Sequence, residues 1–205
     1  MKTLFALTFI GILTYAFAEE PSNDKKCGYK PMENFDSTRY LQITTPLHTT
    51  QAKHISNYSV CREFRSIQKS GDKVNINIHG YYKDGGKIFN YELLCSTTWE
   101  SFNKGQYLSD CKILMDTHDK DPMTSKSFEE HMSVIDTDYD SYAILYTCFW
   151  DGVEDIDENV VELEKNPGAS NEAITTALKN NEMDLKEFFP WNYNYCQNKA
   201  YRYIF

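Results

Sequence analysis

Lys73-Val74-Asn75-Ile76-Asn77-Ile78-His79-Gly80-Tyr81-Tyr82-Lys83-Asp84-Gly85-Gly86-Lys87-Ile88-Phe89-Asn90-Tyr91-Glu92-Leu93-Leu94-Cys95 is the stretch that decides the fold class. In its first arm, residues 73–82, Val74, Ile76 and Ile78 share one face. Asn75, Asn77 and His79 share the other. A period of two, with β-branched residues at alternate positions, marks a strand with one buried face. Lys83-Asp84-Gly85-Gly86-Lys87 makes the turn, since glycine takes positive φ at no steric cost. Residues 88–95 return antiparallel with Phe89, Tyr91 and Leu93 on one face.

Outward from this hairpin the same signals recur. A strand is expected at 59–68, stopped by Ser70-Gly71-Asp72, and others at about 106–115, 127–135, 142–150 and 159–164. Asp136-Thr137-Asp138-Tyr139-Asp140 is a polar connection. Pro167-Gly168 ends the β pattern. Ala173, Ile174, Ala177 and Leu178 then carry helical spacing, and Met183 to Phe189 suggests a second short helix. Strands at this spacing predict an all-β domain: a sandwich or an up-and-down barrel. Seven or eight strands are read at this spacing, and eight antiparallel strands followed by a C-terminal α-helix is the lipocalin order. A barrel of that size holds one small ligand in its mouth.

The 205 residues suit a single domain, and a 41% hydrophobic content is enough for a core. With 21 basic against 30 acidic residues, the net charge of −9 argues against nucleic acid as a partner. Met1-Lys2, the apolar run Leu4 to Phe17 and Ala16-Phe17-Ala18 read as a secretory signal peptide over residues 1–18. Residues 19–205 are then the exported domain. The run is short for a membrane span, and no later run approaches that length. Export gives the six cysteines (27, 61, 95, 111, 148 and 196) the sense of three disulfides, with fifteen possible pairings. Asn57-Tyr58-Ser59 is a glycosylation sequon at an expected loop.

Several segments resemble the triabin-like salivary lipocalins of blood-feeding triatomine bugs. They are the leader, Met32-Glu33-Asn34-Phe35-Asp36, Val60-Cys61-Arg62-Glu63-Phe64, Tyr82 to Lys87 with Glu92-Leu93-Leu94-Cys95, and Val134 to Tyr139 with Tyr142-Ala143 and Cys148. The resemblance reaches to about residue 165 and is nearest to the triplatin and pallidipin type. It implies a secreted salivary protein that impairs host haemostasis by sequestering a platelet agonist or, as some members do, by binding a coagulation or contact-pathway protein; a monomer is expected. It also implies the pairings Cys27–Cys148, Cys61–Cys196 and Cys95–Cys111; the last joins residues of matching parity on neighbouring strands. One departure stands out. The family's Gly-x-Trp is replaced by Tyr40-Leu41-Gln42-Ile43-Thr44-Thr45-Pro46-Leu47, which leaves the closed end of the barrel without its tryptophan, and Pro46 should disturb the first strand.

No nucleophile motif or phosphate loop is present, so catalysis is not expected. Asp136-x-Asp138-x-Asp140 opens like a calcium loop, but Ser141 and Thr147 stand where Gly and a bidentate Glu are needed. Haem is disfavoured as a cofactor: His79 lies opposite Val74, Ile76 and Ile78, and so should face solvent. Parity names Phe89, Tyr91, Tyr107, Met132, Tyr142 and Tyr146 as inward candidates for a ligand pocket. Glu130 shares parity with Phe128 and Met132, and would suit an ammonium. Arg62, in step with Val60 and Phe64, and Arg39, expected at the barrel entry, would each suit a carboxylate. A thromboxane-type lipid is the first expectation for the ligand and a biogenic amine the second. The alternative is a host haemostatic protein held by the acidic stretch Asp151 to Glu158.

Overall fold

The computed structural model describes residues 27–43, 46–54, 59–118, 127–150, 156–167 and 172–200. Eight antiparallel strands close into a barrel: β1 (Leu47–Ala52), β2 (Ser59–Ser70), β3 (Lys73–Asp84), β4 (Lys87–Thr98), β5 (Gln106–Asp116), β6 (Ser127–Thr137), β7 (Tyr142–Trp150) and β8 (Ile156–Glu164). Each pairs with its sequence neighbour, and β1 closes the ring by pairing with both β8 and β2. Three helices are α1 (Ser37–Tyr40), α2 (Trp99–Phe102) and α3 (Glu172–Asn180). A two-residue strand β9 (Phe189–Pro190) and helix α4 (Tyr193–Ala200) follow.

The deciding hairpin folds as its sequence dictates. Gly85 and Gly86 take φ of 53° and 81°, and Asp84 pairs with Lys87 across the turn. Val74, Ile76 and Ile78 are buried inside the barrel. Gly80 continues their face, and it is small for a reason. A Cβ there would lie 2.4 Å from the Tyr91 hydroxyl and 2.8 Å from the Cys61 carbonyl.

One end of the barrel is closed without the family tryptophan. β1 begins directly after Pro46, and the preceding turn α1 is capped by Asp36, whose carboxylate accepts from the Thr38 and Arg39 amides. Tyr40, 1% exposed, lies 6.1 Å from Phe102 of α2 and 5.4 Å from Phe35, ring to ring. These rings, with Tyr107, fill the end that Gly-x-Trp would occupy.

A second core lies outside the barrel. Ile174, Ala177 and Leu178 of α3 cover Ile135, Tyr142, Ile144 and Tyr146, and the segment Cys27–Tyr29 packs against the same patch. Cys27 bonds to Cys148 on that outer face. The helix expected over 183–189 is only a 3₁₀ turn, Leu185–Glu187, because the Asp184 carboxylate caps the Lys186 amide and Pro190 soon ends any helix.

The seam around β1 buries charge. Val161 and Leu163 of β8 face the barrel core, so Glu162 and Glu164 face outward, yet both are buried. Across the seam Glu63 is 4% exposed. It accepts from Arg65 Nε at 2.7 Å and lies 3.4 Å from His48 Nδ1 and 3.2 Å from His79 Nδ1. Burial opposes its charge, but these donors outweigh burial and hold its carboxyl well below the usual range. Glu162 has the opposite fate. Burial, then the neighbouring Glu164, push it up to about 8.

Two outcomes follow from this packing. The folded protein holds a proton on the Glu162–Glu164 pair that the unfolded chain releases, so stability falls as pH rises between about 4.5 and about 8. Glu162→Gln should flatten that slope and raise stability at the alkaline end by about 1–2 kcal/mol. Urea unfolding across this window measures both. Gly80→Ala should destabilise by about 1–3 kcal/mol, because the Cys61 backbone cannot yield, and should displace the Tyr91 ring; thermal unfolding and near-UV circular dichroism report the two effects.

Candidate ligand-binding site

A cavity of about 330 Å³ occupies the end of the barrel opposite Tyr40 and α2. Its walls come from the ends of strands that converge there: Ser59 and Arg62 of β2, Tyr82 of β3, Tyr91 and Leu93 of β4, and Ile113 and Asp116 of β5. Phe128 and Glu130 of β6, Thr147 and Phe149 of β7, and Asn159 and Val161 of β8 complete the ring. Trp191, between β9 and α4, adds one more wall. That volume is at the lower end for a drug-sized ligand, and the lining is mostly aromatic and aliphatic, as such pockets are.

The polar centre is an ion pair. Arg62 Nη2 donates to both oxygens of Glu130, at 3.1 and 3.0 Å. Burial opposes the guanidinium charge, but Glu130 outweighs it and keeps the arginine pKa raised. Burial also raises the pKa of Tyr91, so its phenol stays neutral. Arg62 is underused. Both of its hydrogen bonds leave from Nη2, while Nε is buried without a partner. Nearer the strand ends, the Tyr82 hydroxyl lies 2.9 and 3.0 Å from the two Asp116 oxygens. The described lining thus holds one guanidinium and two carboxylates.

Of the residues named from sequence, Arg62, Tyr91 and Glu130 meet in this cavity. Arg62 and Glu130, read separately as sites for opposite charges, in fact neutralise each other. Tyr107 and Met132 point inward too, but they are buried in the packed core rather than lining the cavity. Phe89 is half-buried against Tyr82 and His118, its ring 4.4 Å from the imidazole, and does not line the cavity.

Three assignments are corrected. Arg39 is not at the barrel entry. The chain enters β1 from the closed end, and the Arg39 guanidinium lies 4.3 Å over the Tyr139 ring. Tyr142 and Tyr146 belong to the outer core, where their hydroxyls bond Asp136 at 2.6 Å and Glu158 at 2.8 Å. β7 is apolar on both faces, because α3 covers one of them, so alternation could not choose. The inward set is Ala143, Leu145, Thr147 and Phe149. His79 does lie on the outer face, but it is buried beside Glu63 instead of exposed. Its ring packs edge-on to Tyr81 at 5.0 Å, away from the cavity.

Sequence reasoning passed over Tyr82, Asp116, Phe149 and Trp191. Tyr82 shares the parity of Ile78 and could have been found. Asp116 reaches the cavity because a bulge shifts the β4–β5 register between Glu92 and Leu93. Met115 is left 36% exposed. Trp191 has no periodic signal.

Two trios of potential metal ligands converge among the described residues: Glu63, His79 and Cys196, and Cys95, Cys111 and Glu130. All three cysteines are in disulfides, Cys61–Cys196 and Cys95–Cys111, so neither trio offers a thiolate. The Asp138 carboxylate is committed to the amides of Asp140, Ser141 and Tyr142 and to the Ser141 hydroxyl, and Asp140 pairs with Lys165 at 3.0 Å. The acidic turn is a folded β6–β7 connection.

Comparison with known proteins agrees with this geometry. The family model described as Triabin matches residues 16–178. Pallidipin of Meccus pallidipennis is 31% identical over 97% of this chain and 99% of its own length. Platelet inhibitor triplatin-2 of Triatoma infestans is 26% identical over 90% of this chain and 94% of its own. Among solved structures, the leukotriene-C4 complex of LTBP1 superposes with a TM-score of 0.55 at 24% identity, covering 79% of this chain and 89% of that one. The tryptamine complex of the amine-binding protein of Rhodnius prolixus gives 0.62 at 16% identity, covering 87% and 95%. A closed eight-stranded barrel with a helix packed on its flank is the lipocalin fold, and with these matches the chain belongs to the triabin family.

Proposed function

We propose that the protein is a secreted scavenger that holds a small amphipathic host mediator in this cavity, with a thromboxane-type eicosanoid its preferred ligand. Removal of that mediator would suppress platelet aggregation. The carrying observation is Arg62: a buried guanidinium in the wall of an aromatic cavity that gives only Nη2 to Glu130. A guanidinium in a cavity wall favours a ligand that brings an acceptor, above all a carboxylate. Leu93, Ile113, Phe128 and Val161 offer the apolar surface for a hydrocarbon chain. The name of triplatin-2 as a platelet inhibitor, and the leukotriene in the LTBP1 complex, support the same class. Residues 1–18, read as a leader, would deliver the protein to saliva.

A specific observation supports a second reading. Two carboxylates, Glu130 and Asp116, stand against one guanidinium, so an ammonium between them and the aromatic walls would also be neutralised. The amine in the Rhodnius protein's complex keeps this alternative in view. The acidic surface expected to hold a host protein falls mostly at residues 151–155, outside the described residues.

Glu130→Gln separates the two ligands by sign. It frees Arg62, so a thromboxane mimetic should bind about tenfold more tightly than to the unsubstituted protein, while serotonin should lose about tenfold or more. Isothermal titration of both ligands against both proteins reads this. Tighter serotonin binding by the variant would reject the amine reading, and weaker mimetic binding would reject the lipid one.

A further inference from the structure

Among the described residues the β1–β2 ladder is short and lies away from the ligand end. β1 meets β2 only at Leu47 with Phe64 and His48 with Glu63. Among the described residues the β1–β2 pairing stops there, while Ser59 and Arg62, nearer the start of β2, line the cavity. The C-terminal strap runs along this side of the barrel. β9 pairs with the far end of β1, Phe189 against Ala52 and Pro190 against Gln51, and the Trp191 amide donates to the Thr50 carbonyl at 2.8 Å. Five residues later Cys196 bonds to Cys61 of β2, and Tyr195 packs edge-on to Tyr81 at 5.0 Å. Trp191 lies between these anchors, half-buried, against the interior core and in the cavity wall.

We infer that residues 188–196 are a working side wall of the cavity, and that Trp191 contacts the bound ligand and determines how tightly it is held. The inference rests on the small-ligand reading above. A continuous strand ladder is rigid, but this wall is not a ladder. Its links to the barrel are a two-residue strand, one further amide bond and the disulfide at the start of α4, with Phe189 44% exposed beside them. A stretch joined to the barrel by so few main-chain bonds opens at lower cost than a full ladder. The Trp191 indole can therefore shift to fit a ligand while the β1–β8 ladder stays closed. Indole offers a large flat apolar surface with one N–H donor, which suits an amphipathic ligand and favours a conjugated one. In this reading the Cys61–Cys196 bond sets the range of that movement.

The test uses the exported chain with Trp191 as its one tryptophan, Trp99→Phe with Trp150→Phe, and two probes. Acrylamide quenching needs no ligand. Trp191 should be quenched several-fold less than free tryptophan amide, and Cys61→Ala with Cys196→Ala should raise quenching while the far-UV circular dichroism of the barrel persists. Quenching equal to that of the free amide, or unchanged by loss of the disulfide, would overturn the wall. The second probe, cis-parinaric acid, is a conjugated fatty acid that accepts energy from tryptophan. It should quench Trp191 emission saturably, and its affinity should drop about tenfold or more in Trp191→Ala and less in Trp191→Phe. Unaltered affinity in Trp191→Ala would overturn the contact. A parent protein that binds neither cis-parinarate nor serotonin rejects the small-ligand reading and the contact with it, leaving quenching to decide the wall alone.

Discussion

The closure of the ring at β1 is the constraint on which the rest of the structure depends. Six residues must join β2, twelve residues long, to β8, nine residues long, and cannot pair with both over their full length. β1 gives most of its length to β8 and two residues to β2. Everything distinctive about the molecule gathers at this joint. The buried carboxylates Glu63, Glu162 and Glu164 flank it, the strap β9–α4 pairs with the far end of β1, and one disulfide locks that strap to β2. An open sheet edge would otherwise expose unpaired amides beside the ligand cavity.

Charge is handled in two ways in this small barrel. Inside, Arg62 and Glu130 balance each other, and the cavity keeps surplus donors without an uncompensated ion. Outside, at the joint, Glu63 draws on three basic neighbours and stays ionised, while the Glu162–Glu164 pair retains a proton. The two solutions lie on opposite faces of the same strand: Arg62 points in and Glu63 points out. Alternation along β2 thus separates ligand chemistry from structural electrostatics by a single residue.

What the sequence made legible follows from where burial is one-sided. In β3 one face is apolar and the other amide-rich, so register and facing were readable from alternation, as was the glycine turn. Arg62 and Glu130 were placed inward by the same logic. β7 defeated it because α3 and the Cys27 segment bury its outer face, leaving Tyr142 and Tyr146 indistinguishable from lining residues. The β4–β5 bulge turned Asp116 toward the cavity, and no local pattern announces a bulge of that kind. The loss of Gly-x-Trp suggested a weakened closed end. Tyr40, with Phe35 and Phe102, fills it from positions that only the tertiary fold brings together.

The disulfides carry a last consequence. Cys27 is tied to β7 across 121 residues of chain, and Cys196 to β2 across 135. Both peripheral arms are therefore riveted to opposite walls of the barrel. A host protease that cuts between Cys27 and β1, or between α3 and Cys196, severs the backbone without freeing the fragment. Such nicked molecules would keep their shape, where an untethered arm would be lost at the first cleavage.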